Sequence, residues 1–287
     1  MSVDPEPDSK APSGRRSWSD LGPRFASAVV LVPLTAISLY VGGYLFAAVV
    51  GAVFAGAYRE WERMVTLKRL TPFGIFLIGL VFVAGLLFPL WGPLATLAVV
   101  AVGAVASLVR GGEGAVWRAC GLLYLGVVVI AILSMRGDAV DGIGMWAGVL
   151  LGTTIWLTDT GAFFTGRQLG GEKLAPGISP AKTWSGALGG LALGTLMGLV
   201  VWHFVTSSPW WIGLILCASM SVLGQVGDLA ESALKRRFRV KDSGDIIPGH
   251  GGLMDRLDSV TFGVLFLYVV GVLHLGPGAV AAGFLTW

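Results

Sequence analysis

Residues 184–205 read WSGALGGLALGTLMGLVVWHFV, with no Lys, Arg, Asp or Glu anywhere in the run. A helix needs about 20 consecutive apolar residues to cross the hydrocarbon core of a bilayer, so this segment is long enough to span one. Within it Gly186, Gly190, Gly194 and Gly198 recur at every fourth position and fall on one helical stripe. Helices in a membrane gain little from mutual hydrophobic burial, and close backbone approach through small residues matters more. The stripe therefore predicts a smooth face for a neighbouring helix, the alternative being a role in substrate passage.

Apolar runs of similar character flank this one, at 209–230 and 260–283 on one side and at 25–41, 43–58, 72–88, 90–109, 116–134 and 143–165 on the other. The 287-residue chain is 55% hydrophobic and 13% charged, against roughly 25% charged in soluble domains, and its mean hydropathy is +0.78. The expected fold is all-α, a polytopic integral membrane protein of about nine transmembrane helices. Residues 1–20, rich in Pro, Ser and mixed charge, cannot bury enough apolar surface to fold alone and read as a disordered tail. They are followed by N-terminal transmembrane helices over 21–142 and a C-terminal region over 143–287. Pro33 and the close spacing of the first two runs suggest a kink or an incomplete crossing there. No small-residue cleavage site follows the first run, which is expected to stay in the mature protein.

Positive charge is retained on the cytoplasmic side of a membrane. With nine spans and the N-terminus inside, nineteen of the twenty Lys and Arg residues fall on inside segments, and only Arg136 lies outside, near Asp138 and Asp141. The expected location is the cell membrane, multi-pass, with the N-terminus and the active site cytoplasmic. The net charge of +3 is spread over membrane-flanking segments and forms no single basic face, so nucleic acid is not an expected partner; membrane lipids are. Cys120 and Cys217 sit inside apolar runs without neighbouring ligand residues and read as small hydrophobes.

Against this background Ser232 to Ser259, SALKRRFRVKDSGDIIPGHGGLMDRLDS, is a charged island holding six of the twenty Lys and Arg residues and four Asp. Charge beside a membrane is kept where something binds it. Just upstream, Asp228 and Glu231 are three apart and share a helical face. Two such carboxylates suit Mg²⁺, which takes oxygen ligands and keeps substrate phosphates and water in its shell; an ion pair of Glu231 with Lys235 is the plainer alternative. Lys235, Arg236, Arg237, Arg239 and Lys241 could hold a triphosphate or simply anchor the chain at the membrane surface. The sequel favours the first: glycines around His250 in Pro248-Gly249-His250-Gly251-Gly252 let backbone N–H groups approach phosphate, and Asp255 could share a metal with Asp228. A second cluster runs from Asp159-Thr160-Gly161 through Gly166-Arg167 to Ser179-Pro180-Ala181-Lys182-Thr183. Asp159 inside an apolar run implies a function or a buried cationic partner. Lys182, Ser179 and Thr183 suit a phosphate, with helix capping as the alternative for the two hydroxyls.

These residues resemble the phosphatidate cytidylyltransferase (CDP-diacylglycerol synthase) family. The resemblance rests on S-x-x-K-R at Ser232, Lys235 and Arg236, K-D at Lys241 and Asp242, P-G-H-G-G at 248–252 and D-R-x-D at Asp255, Arg256 and Asp258, in the family's order and spacing. The Gly227-Asp228-x-x-Glu231-Ser232 element and the Asp159-to-Thr183 segment are similar as well. Two positions depart from the family pattern: Trp184-Ser185-Gly186 stands where an aromatic residue, Glu and Gly are usual, and Phe163 stands where Tyr is common.

The resemblance implies a nucleotidyltransferase of phospholipid biosynthesis that converts CTP and phosphatidic acid to CDP-diacylglycerol and pyrophosphate. It implies Asp228 and Asp255 as metal carboxylates, with Glu231 as a further candidate ligand, and Mg²⁺ as cofactor, Mn²⁺ as a substitute and K⁺ as a second ion. Lys235 and Lys241 would act with them in catalysis. Asp159, Ser179, Lys182, Thr183, Ser232, Arg236, Asp242, His250, Gly251, Gly252, Arg256 and Asp258 would bind substrate, and a homodimer is the expected assembly. A related CTP-dependent kinase of a polyprenol-type alcohol would share the triphosphate site but release CDP and a phosphorylated lipid. A transporter would move solute without nucleotide turnover and leaves the charged island unexplained. A CDP-alcohol phosphotransferase is disfavoured because its D-G-x-x-A-R core is absent.

Overall fold

The computed structural model describes residues 21–137, 142–244, 246 and 251–287, with side chains from 29 onward except that of residue 31. The expected tail 1–20, Asp138, Asp141 and the Pro248-Gly249-His250 part of the island lie outside the described residues. Among the described residues the chain forms nine helices: α1 (Leu21–Val41), α2 (Gly43–Thr66), α3 (Pro72–Arg110), α4 (Ala115–Arg136), α5 (Ile143–Leu169), α6 (Trp184–Val205), α7 (Trp210–Arg237), α8 (Asp258–Leu275) and α9 (Val280–Leu285). One antiparallel hairpin interrupts the helical fold, β1 (Lys173–Ala175) and β2 (Ser179–Thr183), paired Lys173 to Thr183 and Ala175 to Ser179.

Glycine and proline set the breaks. The runs at 72–88 and 90–109 form the two arms of α3, bent where Gly92 takes φ 72° and ψ −167° between Pro89 and Pro93, since only glycine adopts that backbone without strain. The run at 260–283, expected as one span, is two helices, because Gly276 at φ 87° ends α8 and the chain turns into α9. The charged island also begins on a helix, since α7 continues through Lys235, Arg236 and Arg237. At the other end of α4, Arg136 is its last residue, 3% exposed. Its guanidinium donates to the Leu39 and Tyr40 carbonyls at 2.5 and 2.9 Å, closing the C-terminus of α1.

Five of the helices, α3, α4, α6, α7 and α8, are long and apolar enough to cross a membrane. Large side chains such as Leu94, Val102, Val109, Leu196, Phe204 and Leu273 point outward, while Phe54, Tyr58, Leu122, Leu150 and Met220 fill the interior. An apolar exterior of this extent is covered by lipid in a membrane protein. Polar residues on α2 (Arg59, Glu60, Glu62, Arg63) and α5 (Thr153, Thr154, Thr158, Asp159) keep these helices outside that apolar group.

The glycine stripe of α6 lies on α5. A Cβ at Gly190 would stand 2.6 Å from the Thr158 carbonyl oxygen, one at Gly186 2.9 Å from that of Ala162, and one at Gly194 2.8 Å from that of Thr154. The obstacles are backbone atoms, which cannot swing aside. Gly190→Leu is therefore expected to destabilise the bundle by about 1–3 kcal/mol as an overpacked contact. Gly79→Leu, on an open face of α3 with nothing within 4 Å, should leave it intact. Melting of the detergent-solubilised variants checks both, and equal midpoints would refute the packing role of the stripe.

Candidate active site

Along α7, Glu231 and Ser232 lie three and four residues after Asp228 and four and three before Lys235, so that both fall on the face that Asp228 and Lys235 share. Gly227, next to Asp228, lets α8 approach: a Cβ there would stand 2.6 Å from the Asp258 carbonyl oxygen. The carboxylates of this face are matched by ammonium groups. Lys182 on β2 lies 2.5 Å from Asp228 Oδ2. Lys235 lies 2.5 Å from Asp255 Oδ1 and 3.2 Å from Glu231 Oε1. Ser232 donates to Asp228 Oδ1 at 3.5 Å.

The hairpin brings the second cluster onto the first. Thr183 caps α6, accepting from the Gly186 N–H at 3.1 Å, so the capping reading holds for this hydroxyl. Ser179 starts β2 and caps no helix. Ser185 donates to the Gly170 carbonyl and meets the Thr183 hydroxyl at 3.1 Å, tying the base of the hairpin to the end of α5. A cleft of about 550 Å³ opens between these elements. Asp159, Arg167, Lys182, Asp228 and Arg256 line its charged part; Ala162, Phe163, Leu174 and Ala187 line its apolar wall. Asp159 and Asp228 lie within electrostatic range of one another and of Asp258. Arg236 reaches back to the hairpin, its Nε donating to the Ile178 carbonyl at 3.3 Å.

Residues 23–274 match the pattern of the cytidylyltransferase family. A phosphatidate cytidylyltransferase of Brucella abortus biovar 1 (strain 9-941) is 36% identical over 273 residues, 94% of this chain and all of that protein. Those of Staphylococcus saprophyticus and Bacillus subtilis (strain 168) are each 41% identical, over 155 residues (54% of this chain, 55% of that protein) and 148 residues (51% and 54%) respectively. The chain belongs to the cytidylyltransferase family. It is a CTP-dependent nucleotidyltransferase.

In this cytidylyltransferase most of the residues expected from the sequence converge on one end of the bundle. Asp159, Lys182, Thr183, Asp228 and Arg256 meet at the cleft, while Glu231, Lys235 and Asp255 form an adjoining knot. Asp258 opens α8, its Oδ1 accepting from the Ser259 N–H at 2.7 Å. Lys241 and Asp242 are exposed and make no hydrogen bond or ion pair among the described residues, so they are not drawn into either group. Gly251 is exposed at φ 83°, Gly252 is buried, and His250 lies outside the described residues. The alternative pairing of Glu231 with Lys235 is realised, but Asp255 shares the same ammonium.

One residue of this end escaped the sequence reading. Glu60, on α2 and fully buried, accepts hydrogen bonds from the Leu253 and Met254 N–H groups at 3.0 and 2.9 Å and from the Ser243 hydroxyl at 3.0 Å. Two turns of the charged island are thus fastened to the N-terminal half. The available signal was a pair of acids, Glu60 and Glu62, directly following an apolar run, where a carboxylate needs a partner. Glu62 has one in Arg118, at 2.9 Å.

The donors suited to a divalent cation are the Asp228 and Asp255 carboxylates, hard oxygen ligands that each already face a positive group at 2.5 Å. Among the described residues no three acidic, His or Cys side chains converge on one metal position. Mg²⁺ takes one or two carboxylates from a protein and the rest of its shell from phosphates and water, a demand that hard oxygen donors such as these could meet.

Burial pushes the Asp255 carboxyl up. Hydrogen bonding with Glu231 and Lys235, the Lys235 charge and the Ser243 N–H outweigh it and hold the group at about 2, below its ordinary 3.8. A carboxyl depressed in the folded state adds stability that is complete above its unfolded pKa and is lost as pH falls through the folded one. The difference in melting temperature between the wild type and Asp255→Asn should therefore be constant above pH about 5 and close as pH falls toward about 2. A difference independent of pH over that window would contradict the ionised, paired state of Asp255.

Proposed function

We propose that this enzyme transfers the cytidylyl group of CTP to phosphatidate, producing CDP-diacylglycerol and pyrophosphate. The observation that carries the reading is the cleft between α5, the hairpin and α7, where Lys182, Arg167, Arg256, Asp159 and Asp228 face a space whose other wall is Phe163, Leu174 and Ala187. A lipid phosphate needs both surfaces together, cations for its head and apolar wall for its chains. A relative matched over its full length carries the name phosphatidate cytidylyltransferase, which supports the same substrate.

Mg²⁺ is the cofactor we assign, with Mn²⁺ as a substitute and K⁺ as a second ion, Asp228 and Asp255 being the residues that would hold the metal. When bound, it neutralises triphosphate charge and favours in-line displacement. The residues of the chain do the positioning. A phosphatidate oxygen forms the new bond to the α-phosphorus of CTP, the bond from that phosphorus to the bridging oxygen breaks, and pyrophosphate leaves with the electron pair. Phosphatidate is already anionic at neutral pH, so no side chain has to remove a proton. Lys182 and Lys235, which pair with Asp228 and Asp255, would be free to meet phosphate oxygens if those carboxylates held the metal. Arg167 and Arg256, which also line the cleft, would add positive charge to meet the negative charge that the leaving group develops. The placement of nineteen of the twenty Lys and Arg residues on one side of a nine-span topology favours a site facing the cytoplasm from the cell membrane.

The test is turnover by purified protein in detergent with radiolabelled CTP, phosphatidic acid, Mg²⁺ and K⁺. Lipid-linked cytidine and pyrophosphate are expected together, dependent on phosphatidic acid and abolished by chelator. A phosphorylated lipid with CDP would indicate the alcohol kinase instead, and no turnover by folded protein would overturn the reading. Asp228→Asn and Asp255→Asn are each expected to abolish turnover while the protein stays monodisperse by size exclusion; activity near wild type in either would remove that residue from the metal site.

A further inference from the structure

We infer that Glu60 is a positioning residue of the active site, holding the Asp255 carboxylate in place from a helix that carries none of the signature motifs. The inference rests on the reading of Asp255 as a metal carboxylate.

The geometry is a chain of two links. Glu60 accepts the Ser243 hydroxyl at 3.0 Å, and the same Ser243 donates its N–H to Asp255 Oδ2 at 3.1 Å. In parallel, Glu60 accepts the N–H groups of Leu253 and Met254, the two residues that lead into the turn bearing Asp255. One carboxylate therefore fixes both the backbone that carries Asp255 and the donor that orients its outer oxygen. The inner oxygen, Oδ1, is the one that faces Lys235. Fixing one oxygen of a carboxylate by hydrogen bonding directs the other, as outer-shell partners do for metal ligands generally.

Two glycines show that the surroundings are shaped to this arrangement. A Cβ on Gly244 would lie 2.5 Å from Glu60 Oε1, and one on Gly252 would lie 2.6 Å from Asp255 Oδ2. Neither glycine has a positive φ, so backbone freedom is not what calls for them. Room for the two carboxylates is. On α2 itself Gly56, one turn before Glu60, lets Leu253 pack closely, with its Cδ2 2.8 Å from where a Cβ would be. Glu60 is fully buried and surrounded by donors, and a carboxylate so placed is costly to alter, because each donor it leaves unpaired loses its partner without regaining water.

Glu60→Gln keeps the size of the side chain but turns one acceptor into a donor facing groups that themselves donate. The test compares the wild type, Glu60→Gln, Ser243→Ala and Asp255→Asn as full-length protein in detergent by three readouts. These are hydrogen exchange at the Leu253 and Met254 amides without metal or substrate, the Mg²⁺ dependence of cytidylyl transfer to phosphatidic acid, and thermal melting. Glu60→Gln should speed exchange at whichever of the two amides faces the new NH₂ group and raise the half-saturating Mg²⁺ by about tenfold or more. High Mg²⁺ should restore part of the rate, and KM for phosphatidic acid should be unchanged. Ser243→Ala, which removes one link and leaves the N–H, should shift the Mg²⁺ dependence in the same direction by less. A Mg²⁺ dependence like wild type in Glu60→Gln, or activity that merely tracks the folded fraction and does not recover with Mg²⁺, would overturn the inference. If Glu60→Gln does not fold, an unshifted Ser243→Ala overturns it alone. Wild-type turnover in Asp255→Asn would instead remove the metal reading on which it rests.

Discussion

Taking a carboxylate or an ammonium out of water costs several kcal/mol per ion unless a partner of good geometry replaces the lost hydration, and one end of this bundle is organised around that requirement. Three of the ion pairs at this end join different elements. Lys182 on the hairpin meets Asp228 on α7, Lys235 on α7 meets Asp255 on the turn before α8, and Arg118 on α4 meets Glu62 on α2. Glu60 finds N–H and hydroxyl donors instead of a cation. The pairs therefore join elements far apart in sequence. Under the proposed function they would also leave the carboxylates poised, because an ammonium could move to a phosphate if a cation took its place, whereas a hydrophobic partner could not.

The helices bring these groups together because the backbones approach closely, and that closeness is legible in residues 184–205. A four-residue glycine repeat in an uncharged segment implies a helix with one flat side, and that side lies on α5, which carries Asp159. Close packing of α5 on α6 puts Thr183 and Lys182, at the start of α6 and the end of β2, beside Asp159 and Asp228. The same residues that make the contact smooth thus set the width of the cleft.

What could be read from the sequence, and what could not, follows from the range of each signal. Asp228, Glu231 and Lys235 were legible as one face because helical spacing is a local property. Asp255 could be placed near them because the motif around it is dense and specific. Glu60 was not legible in this way. Its partners lie more than 180 residues away, and an acid beside an apolar run looks the same whether it flanks a membrane or anchors a loop. The break at Gly276 was missed for a related reason: hydropathy averages over a window and does not register a single glycine inside an apolar stretch. The hairpin lay between two runs that hydropathy does mark, in a segment too short and too polar to register as either.

The rigidity of α7 has a consequence for how this protein can vary. Asp228, Glu231, Ser232 and Lys235 are aligned only by the helical repeat, and each inserted or deleted residue turns everything beyond it by about 100°. One added residue between Asp228 and Lys235 would carry Lys235 away from Asp255 while leaving every side chain of the motif present. The turn between β1 and β2, over residues 176–178 at the surface, carries no helical register, and what it has to keep is the Ile178 carbonyl that accepts from Arg236. The segment bearing the chemistry can therefore exchange side chains but not change length, and the hairpin beside it is where length can change.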